Sequence, residues 1–240
     1  MTTRVAIHQP NYLPYLGFFH KLSLVDTFVL YDTAQFSKND FHNRNRIKTP
    51  SGTAWLTVPV SRPALRPIRE VRISAATSWA DRHLKSIEAN YSRAAYFVSY
   101  RDELRIVFKK SWLFLAELNE SLIRMLAKAW DFPVRFVRAS ECLGVTEEAS
   151  RSSRLVELVR AVGGDEYVSG PGGLDYVDPT VFGGVGLRLQ VFRHAEYRQL
   201  WGPFLPSMSA IDLLLNEGDR GRETIIRSGE VRPWPASRLT

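Results

Sequence analysis

The sequence predicts an α/β fold with a mainly parallel sheet. It begins with a βαβ unit and carries a helical insertion or cap around residues 78–130. Three observations predict this. RVAI at Arg4–Ile7 and TFVLY at Thr27–Tyr31 are short β-branched apolar runs, and between them Leu16, Phe19 and Leu22 recur at helical spacing. So short a strand–helix–strand connection is a βαβ unit, whose strands lie parallel. Strand and helix patterns go on alternating along the chain. The 240 residues, 45% hydrophobic and 24% charged, suffice for a substantial core without disulfides or a structural metal.

The first strand ends at His8-Gln9-Pro10, because proline and the residue before it resist continuing the pattern. Pro14 lies near the start of the first helix, Leu16–Val25. Asp32 terminates the second strand, and residues 33–51 read as polar and irregular. TAWLTVPV at Thr53–Val60 alternates as a strand that Pro59 pushes toward an edge, and Arg69–Ile73 is a further strand. Ser78 is an N-cap candidate for a helix to Tyr91, on whose surface His83 is expected. Arg101–Trp130 reads as one long helix, with Leu104, Phe108, Leu115, Leu118, Leu122 and Met125 on its apolar stripe. Val134–Val137, Glu166–Val168 and Leu187–Phe192 are strands. Glu147–Val162 and Ser209–Asn216 are helices that end at glycines, and the tail from Pro233 reads as frayed. Neither a repeat nor a linker divides residues 1–240, so a single domain is expected.

Several function classes recede on composition. One cysteine, Cys142, forms no intrachain disulfide and has no cationic or helix-start context to activate it. The five histidines show no metal-ligand spacing, and neither a metal nor a cofactor is expected. No G-x-S-x-G elbow supports a hydrolase triad. The N-terminal apolar stretch is interrupted by polar residues and prolines. No window approaches the ~18 apolar residues of a membrane span, so the expected location is the cytoplasm. A net charge of +7 points to an anionic partner, such as a nucleotide sugar. Nucleic acid is an alternative without a motif to support it.

In parallel sheets, ligands sit beyond the carboxyl ends of the strands. His8 and Asp32 end adjacent strands there, so they are the catalytic candidates: the imidazole as acid or base, the carboxylate as its orienter. In NRNRIK, the side chains of Arg44, Arg46 and Lys48 share one face if the segment is extended, with Asn43 and Asn45 on the other. Arginines on one face suit a phosphate or carboxylate, and Arg44 and Arg46 are expected to line the same cavity as His8. Gln35 and Lys38 share that loop, and Ser169-Gly170 opens a glycine-rich turn after a later strand.

AIHQPNYLPYLGFFHKL, DTFVLYDTAQFSKNDFHNRNRIK, WLTVPV, YVSGPGGLDYVD and FLPSMSAIDLLLNEG occur in this order over residues 4–218. Together they resemble the WbqC-like protein family. The resemblance implies a role in bacterial surface-polysaccharide (O-antigen) biosynthesis and a transferase that attaches glycine, or another acyl or aminoacyl group, to a sugar. It adds Gln9, Asn11 and Tyr12 to the candidate substrate contacts. The opening layout is also similar to that of HIGH-motif nucleotidyltransferases, with Tyr15 and Phe18 at the signature histidine positions. SMSAI is similar to their late Ser/Thr-rich motif, which makes Ser209 a further candidate contact. A basic module that binds RNA or an anionic glycan carrier is the non-enzymatic alternative.

Overall fold

The computed structural model describes residues 2–38, 40–61, 65–75, 78–145 and 150–235. Strands β1 (Arg4–His8) and β2 (Thr27–Leu30) flank helix α1 (Leu16–Ser23), and they pair in parallel from Val5↔Thr27 to His8↔Leu30. All four residues of β2 are buried, as a strand covered on both faces requires. Side chains alternate between two apolar layers. Ala6, Phe28 and Leu30 join the layer that contains α1, whereas Val5, Ile7 and Val29 join a second layer.

Between β2 and the next strand of this sheet lies a long insertion. It holds an antiparallel hairpin, β3 (Arg44–Thr49) with β4 (Gly52–Thr57), and a short pair, β5 (Val60–Ser61) with β6 (Arg72–Ile73). Helices α2 (Trp79–Tyr91), α3 (Phe97–Lys109) and α4 (Leu115–Ala129) complete it. Their buried residues are continuous with the α1 layer. The chain then returns as β7 (Arg135–Arg138), α5 (Arg151–Ala161), β8 (Glu166–Ser169), β9 (Gly186–Phe192), α6 (Ala210–Glu217), α7 (Gly221–Arg227) and β10 (Gly229–Pro233). The six-stranded sheet has the order β10-β9-β8-β1-β2-β7, parallel except for β10. Strand order therefore reverses direction at β1, between β8 and β2.

The expected α/β architecture and parallel βαβ start are present, with four corrections. The helix expected over 101–130 is two. Ile73 N–H donates to the Leu113 carbonyl and Leu115 N–H to the Val71 carbonyl, so the chain beside Phe114 pairs with β6 instead of continuing the helix. The segment expected to be irregular contains β3. The strand expected over 53–60 is divided between β4 and β5. His83 is not a surface residue: it is 6% exposed, and its Nδ1 lies 2.8 Å from the Tyr12 hydroxyl. The helix expected from Glu147 is described from Arg151, and residues 146–149 lie outside the described residues. α7 and β10 were not anticipated. No helix among the described residues is long and apolar enough to cross a membrane.

Candidate functional site

A cavity of about 900 Å³ opens where β1, β2 and β8 end, at the reversal of strand order. This is where open α/β sheets hold ligands. Its polar lining includes His8 and Gln9 after β1, Gln35 beyond β2, Gly170 after β8, Gln190 from β9 and Lys21 from α1. Arg151 and Arg154, from the first turns of α5, also line it, and among the described residues no carboxylate does. Three cations with no carboxylate among the described lining residues favour a negatively charged group there.

His8 shares the α1 face of the sheet with Ala6, two residues earlier, and its ring meets Phe18 edge-on at 4.8 Å. Its Nδ1–H donates to the Gln9 carbonyl at 2.8 Å, which leaves Nε2 as the acceptor of the neutral ring. Burial holds the His8 pKa down at about 3, and the Lys21 charge adds to that effect. Gln9 is oriented by the wholly buried His42. Ser37 N–H donates to His42 Nδ1 at 3.1 Å, so Nε2 carries the proton and donates to Gln9 Oε1 at 2.9 Å. The NH2 of Gln9 is thereby left for a ligand.

Gln190 is held in the opposite sense. Its NH2 donates to the Gly17 carbonyl at 2.8 Å and lies 2.9 Å from His20 Nδ1, so both amide hydrogens are engaged and Oε1 is free to accept. Gly17 is required for space, since a Cβ there would fall 2.5 Å from the Tyr15 ring. Arg154 donates to the Tyr31 hydroxyl at 3.1 Å, and the Arg151 guanidinium lies 4.9 Å above the centre of the Tyr176 ring.

The other sequence-derived candidates lie elsewhere. Asp32 does not orient His8: it is 4% exposed, and it accepts from Ser140 N–H at 2.9 Å and Ser140 Oγ at 2.6 Å. It borders a separate, smaller cavity beyond the ends of β2 and β7. Arg44 and Arg46 do not line the cavity either. Both lie over the half-exposed Trp55 ring of β4, 4.5 Å and 5.5 Å from its centre. Extended backbone did put them on one face, but the hairpin turns that face toward Trp55. Lys48 is buried, with its ammonium on the carbonyls of Gly202 and Pro203.

Asn43 donates to the Val58 carbonyl, and Asn45 to the carbonyls of Leu13 (2.6 Å) and Tyr12. Asn11 and Tyr12 are buried away from the cavity, and Lys38 is exposed outside it. Ser169 is 1% exposed, and its hydroxyl bonds to the Gly170 carbonyl. Ser209 caps α6, accepting from Ile211 N–H, and is fully buried. Of the candidates, then, the structure brings His8, Gln9, Gln35 and Gly170 together.

Sequence reasoning missed Lys21, Gln190, Arg151 and Arg154. Arg151 and Arg154 are three residues apart near a helix start, which is a weak signal. Lys21 sits among apolar residues on α1, where its charge has no periodic reason to be, and that was the readable clue. Cys142 is half-buried, and its thiol is pushed up by burial first and by the Glu141 charge second. Among the described residues no three His, Cys, Asp or Glu side chains cluster as a metal site would need.

No solved structure matches the chain. A curated relative, the uncharacterized protein Rv1507c of Mycobacterium tuberculosis (strain ATCC 25618 / H37Rv), is 36% identical over 231 residues, which is 90% of this chain and 94% of the relative. The WbqC-like family model matches residues 9–224, a span that holds α1, Gln9, the β3–β4 hairpin, the α5 arginines and the turn after β8. The chain belongs to the WbqC-like protein family.

Proposed function

We propose that the chain is a cytoplasmic transferase that takes an anionic, nucleotide-activated sugar into the cavity at the ends of β1, β2 and β8. It adds an acyl or aminoacyl group to that sugar, glycine being the group that the family resemblance implies, in surface-polysaccharide or related biosynthesis. The observation that carries this reading is the cavity itself: large, at the reversal of strand order, and lined by Lys21, Arg151 and Arg154 with no carboxylate among the described residues. Its volume is in the range that holds a drug-sized ligand.

In this reading His8 takes a proton at Nε2 from the sugar's amine or hydroxyl as that group attacks the acyl carbonyl of an activated ester or thioester donor, whose alcohol or thiol leaves with that proton. The Nδ1–H bond to Gln9 holds the ring in place. An imidazole held at about 3 is a poor base in the empty site. An anion bound beside Lys21 cancels the repulsion between that ammonium and an imidazolium, and so raises His8 toward the working range. Gln9 NH2, aimed by His42, contributes a donor to the ligand.

The strand order favours a second reading, that of a nucleotidyltransferase-like protein. Taken outward from β1 it is the 3-2-1-4-5 arrangement of doubly wound nucleotide-binding sheets. Phe18, at one signature histidine position, is fully buried against Phe19 and Phe28 and presents nothing to a ligand.

The test is calorimetric titration with a panel of nucleoside-diphosphate sugars. It is followed by mass spectrometry of the bound sugar after incubation with activated glycine and other aminoacyl donors. A mass gain equal to one acyl or aminoacyl residue, lost in His8→Ala, is the expected result. Release of pyrophosphate from a nucleoside triphosphate and a sugar phosphate, with no acylated sugar, would replace this reading with the second.

A further inference from the structure

We propose that Lys21 and the turn beginning at Gly170 form a seat for a phosphoryl group, the subsite for the phosphate or diphosphate of the ligand. The inference rests on the cavity being the ligand site, and it states which part of the ligand goes where.

Lys21 lies in the last turn of α1 and is only 7% exposed. A lysine this deep is almost always paired, because removing an ammonium from water without a partner is costly. Among the described residues Lys21 has neither an ion pair nor a side-chain hydrogen bond, although it lines the cavity. Burial lowers its pKa to about 8, which still leaves most of the amine charged at neutral pH. The side chain is therefore a desolvated cation that faces a cavity in which no carboxylate of the described residues answers it.

Gly170 makes the room. A Cβ at Gly170 would lie 3.0 Å from Lys21 Nζ, 3.3 Å from Lys21 Cε and 3.7 Å from Gln190 Oε1. Its backbone, at φ −75° and ψ 169°, is a conformation that any residue adopts, so glycine is not needed there for the turn. What the missing side chain provides is space beside the ammonium. Gln190 turns its oxygen to that side, since its NH2 is engaged by Gly17 and His20. The amide presents only an acceptor on that side, so the anion meets the ammonium itself. A compact point charge of this kind suits a phosphoryl oxygen. Arg154 lines the same cavity and adds to its positive field.

Titrations of inorganic pyrophosphate, UDP and glucose 1-phosphate into the wild type, Lys21→Met and Gly170→Ala test the seat and distinguish the source of the phosphate. The wild type is expected to bind at least one of the three. Lys21→Met should weaken that binding roughly ten- to hundredfold, as loss of a charge-assisted contact does, while raising the melting temperature. Gly170→Ala should weaken it at least several-fold with an unchanged melting temperature, which separates occlusion of the seat from damage to the fold. If the wild type binds and both variants bind equally well, the seat is wrong while the cavity remains the ligand site. If Arg154→Ala abolishes binding and Lys21→Met leaves it intact, the seat is again overturned. If the wild type binds none of the three, the anionic-ligand reading of the cavity falls, and the seat with it.

Discussion

Lys21 carries a measurable signature whatever its ligand. Its pKa is lowered by burial to about 8, against 10.5 for the unfolded chain. Between those values the unfolded state binds the proton and the folded state does not, so stability rises with pH across this window. Below about pH 8 both states are protonated, and the folded state bears the full penalty of the buried charge. That lowering corresponds to a penalty on the order of 3 kcal/mol. Urea denaturation of wild type and Lys21→Met at pH 7, 8, 9 and 10 is the measurement. The variant should be the more stable at pH 7, and the difference should shrink as the pH rises. A difference that stays constant with pH would mean that the ammonium is solvated in the folded protein. The neighbouring imidazole differs in kind. His8 is neutral throughout the physiological range, with one ring nitrogen engaged by the Gln9 carbonyl and the other left as an acceptor.

At the scale of elements, the turn from β1 to α1 is held from outside. Leu13 adopts φ 43°, the left-handed region that a leucine disfavours, and Asn45 of β3 donates to its carbonyl at 2.6 Å. Asn119 of α4 grips the carbonyls of Pro10 and His42, Tyr12 N–H donates to the Phe41 carbonyl, and Ala210 N–H donates to the Pro14 carbonyl. The two unusual motifs, HQPNYLP and NRNRIK, thus interlock: the second braces the first, and the first presents His8 and Gln9. Asn45→Ala removes the brace and leaves the buried carbonyls of Tyr12 and Leu13 without it. It should destabilise the protein by roughly 1–3 kcal/mol. It should also speed amide exchange over residues 12–16 before it affects β8 or β9, which hydrogen-exchange mass spectrometry would read. The sequence made β1, α1 and β2 legible because each is local, an apolar period bounded by a proline or a polar residue. It did not make the function of Asn43 and Asn45 legible, because an amide that bonds a ligand and one that bonds a distant carbonyl look identical in one dimension. The break between α3 and α4 was hidden for the same reason. The partners that end the helix, Val71 and Ile73, lie some 40 residues away along the chain.

At the scale of the whole molecule, topology collects what the sequence scatters. The candidate site draws on residues from position 7 to position 190. They meet because β1 lies at the centre of the sheet, with β2 and β7 on one side and β8 and β9 on the other. Strand ends could be read along the chain as site positions, which is why His8, Gln9 and Gly170 were found. Lys21, Arg151 and Arg154 come from helices whose rotation about their axes is set only by packing, so they could not be. The same assembly gives the net charge of +7 a local meaning, since three cations line the cavity and, among the described residues, no carboxylate does. Arg151 is solvent-exposed, and its attraction for a ligand passes largely through water, where a Debye length of ~10 Å at 0.1 M salt shortens to ~3 Å at 1 M. Lys21, enclosed and desolvated, is screened far less. Ligand affinity measured from 0.05 to 0.5 M NaCl should therefore fall with salt, and Arg151→Gln should flatten that dependence while preserving most of the high-salt affinity. Lys21→Met should do the reverse, lowering affinity at every salt concentration with the slope nearly intact. Equal slopes in wild type and Arg151→Gln would show that this arginine lies outside the field the ligand meets.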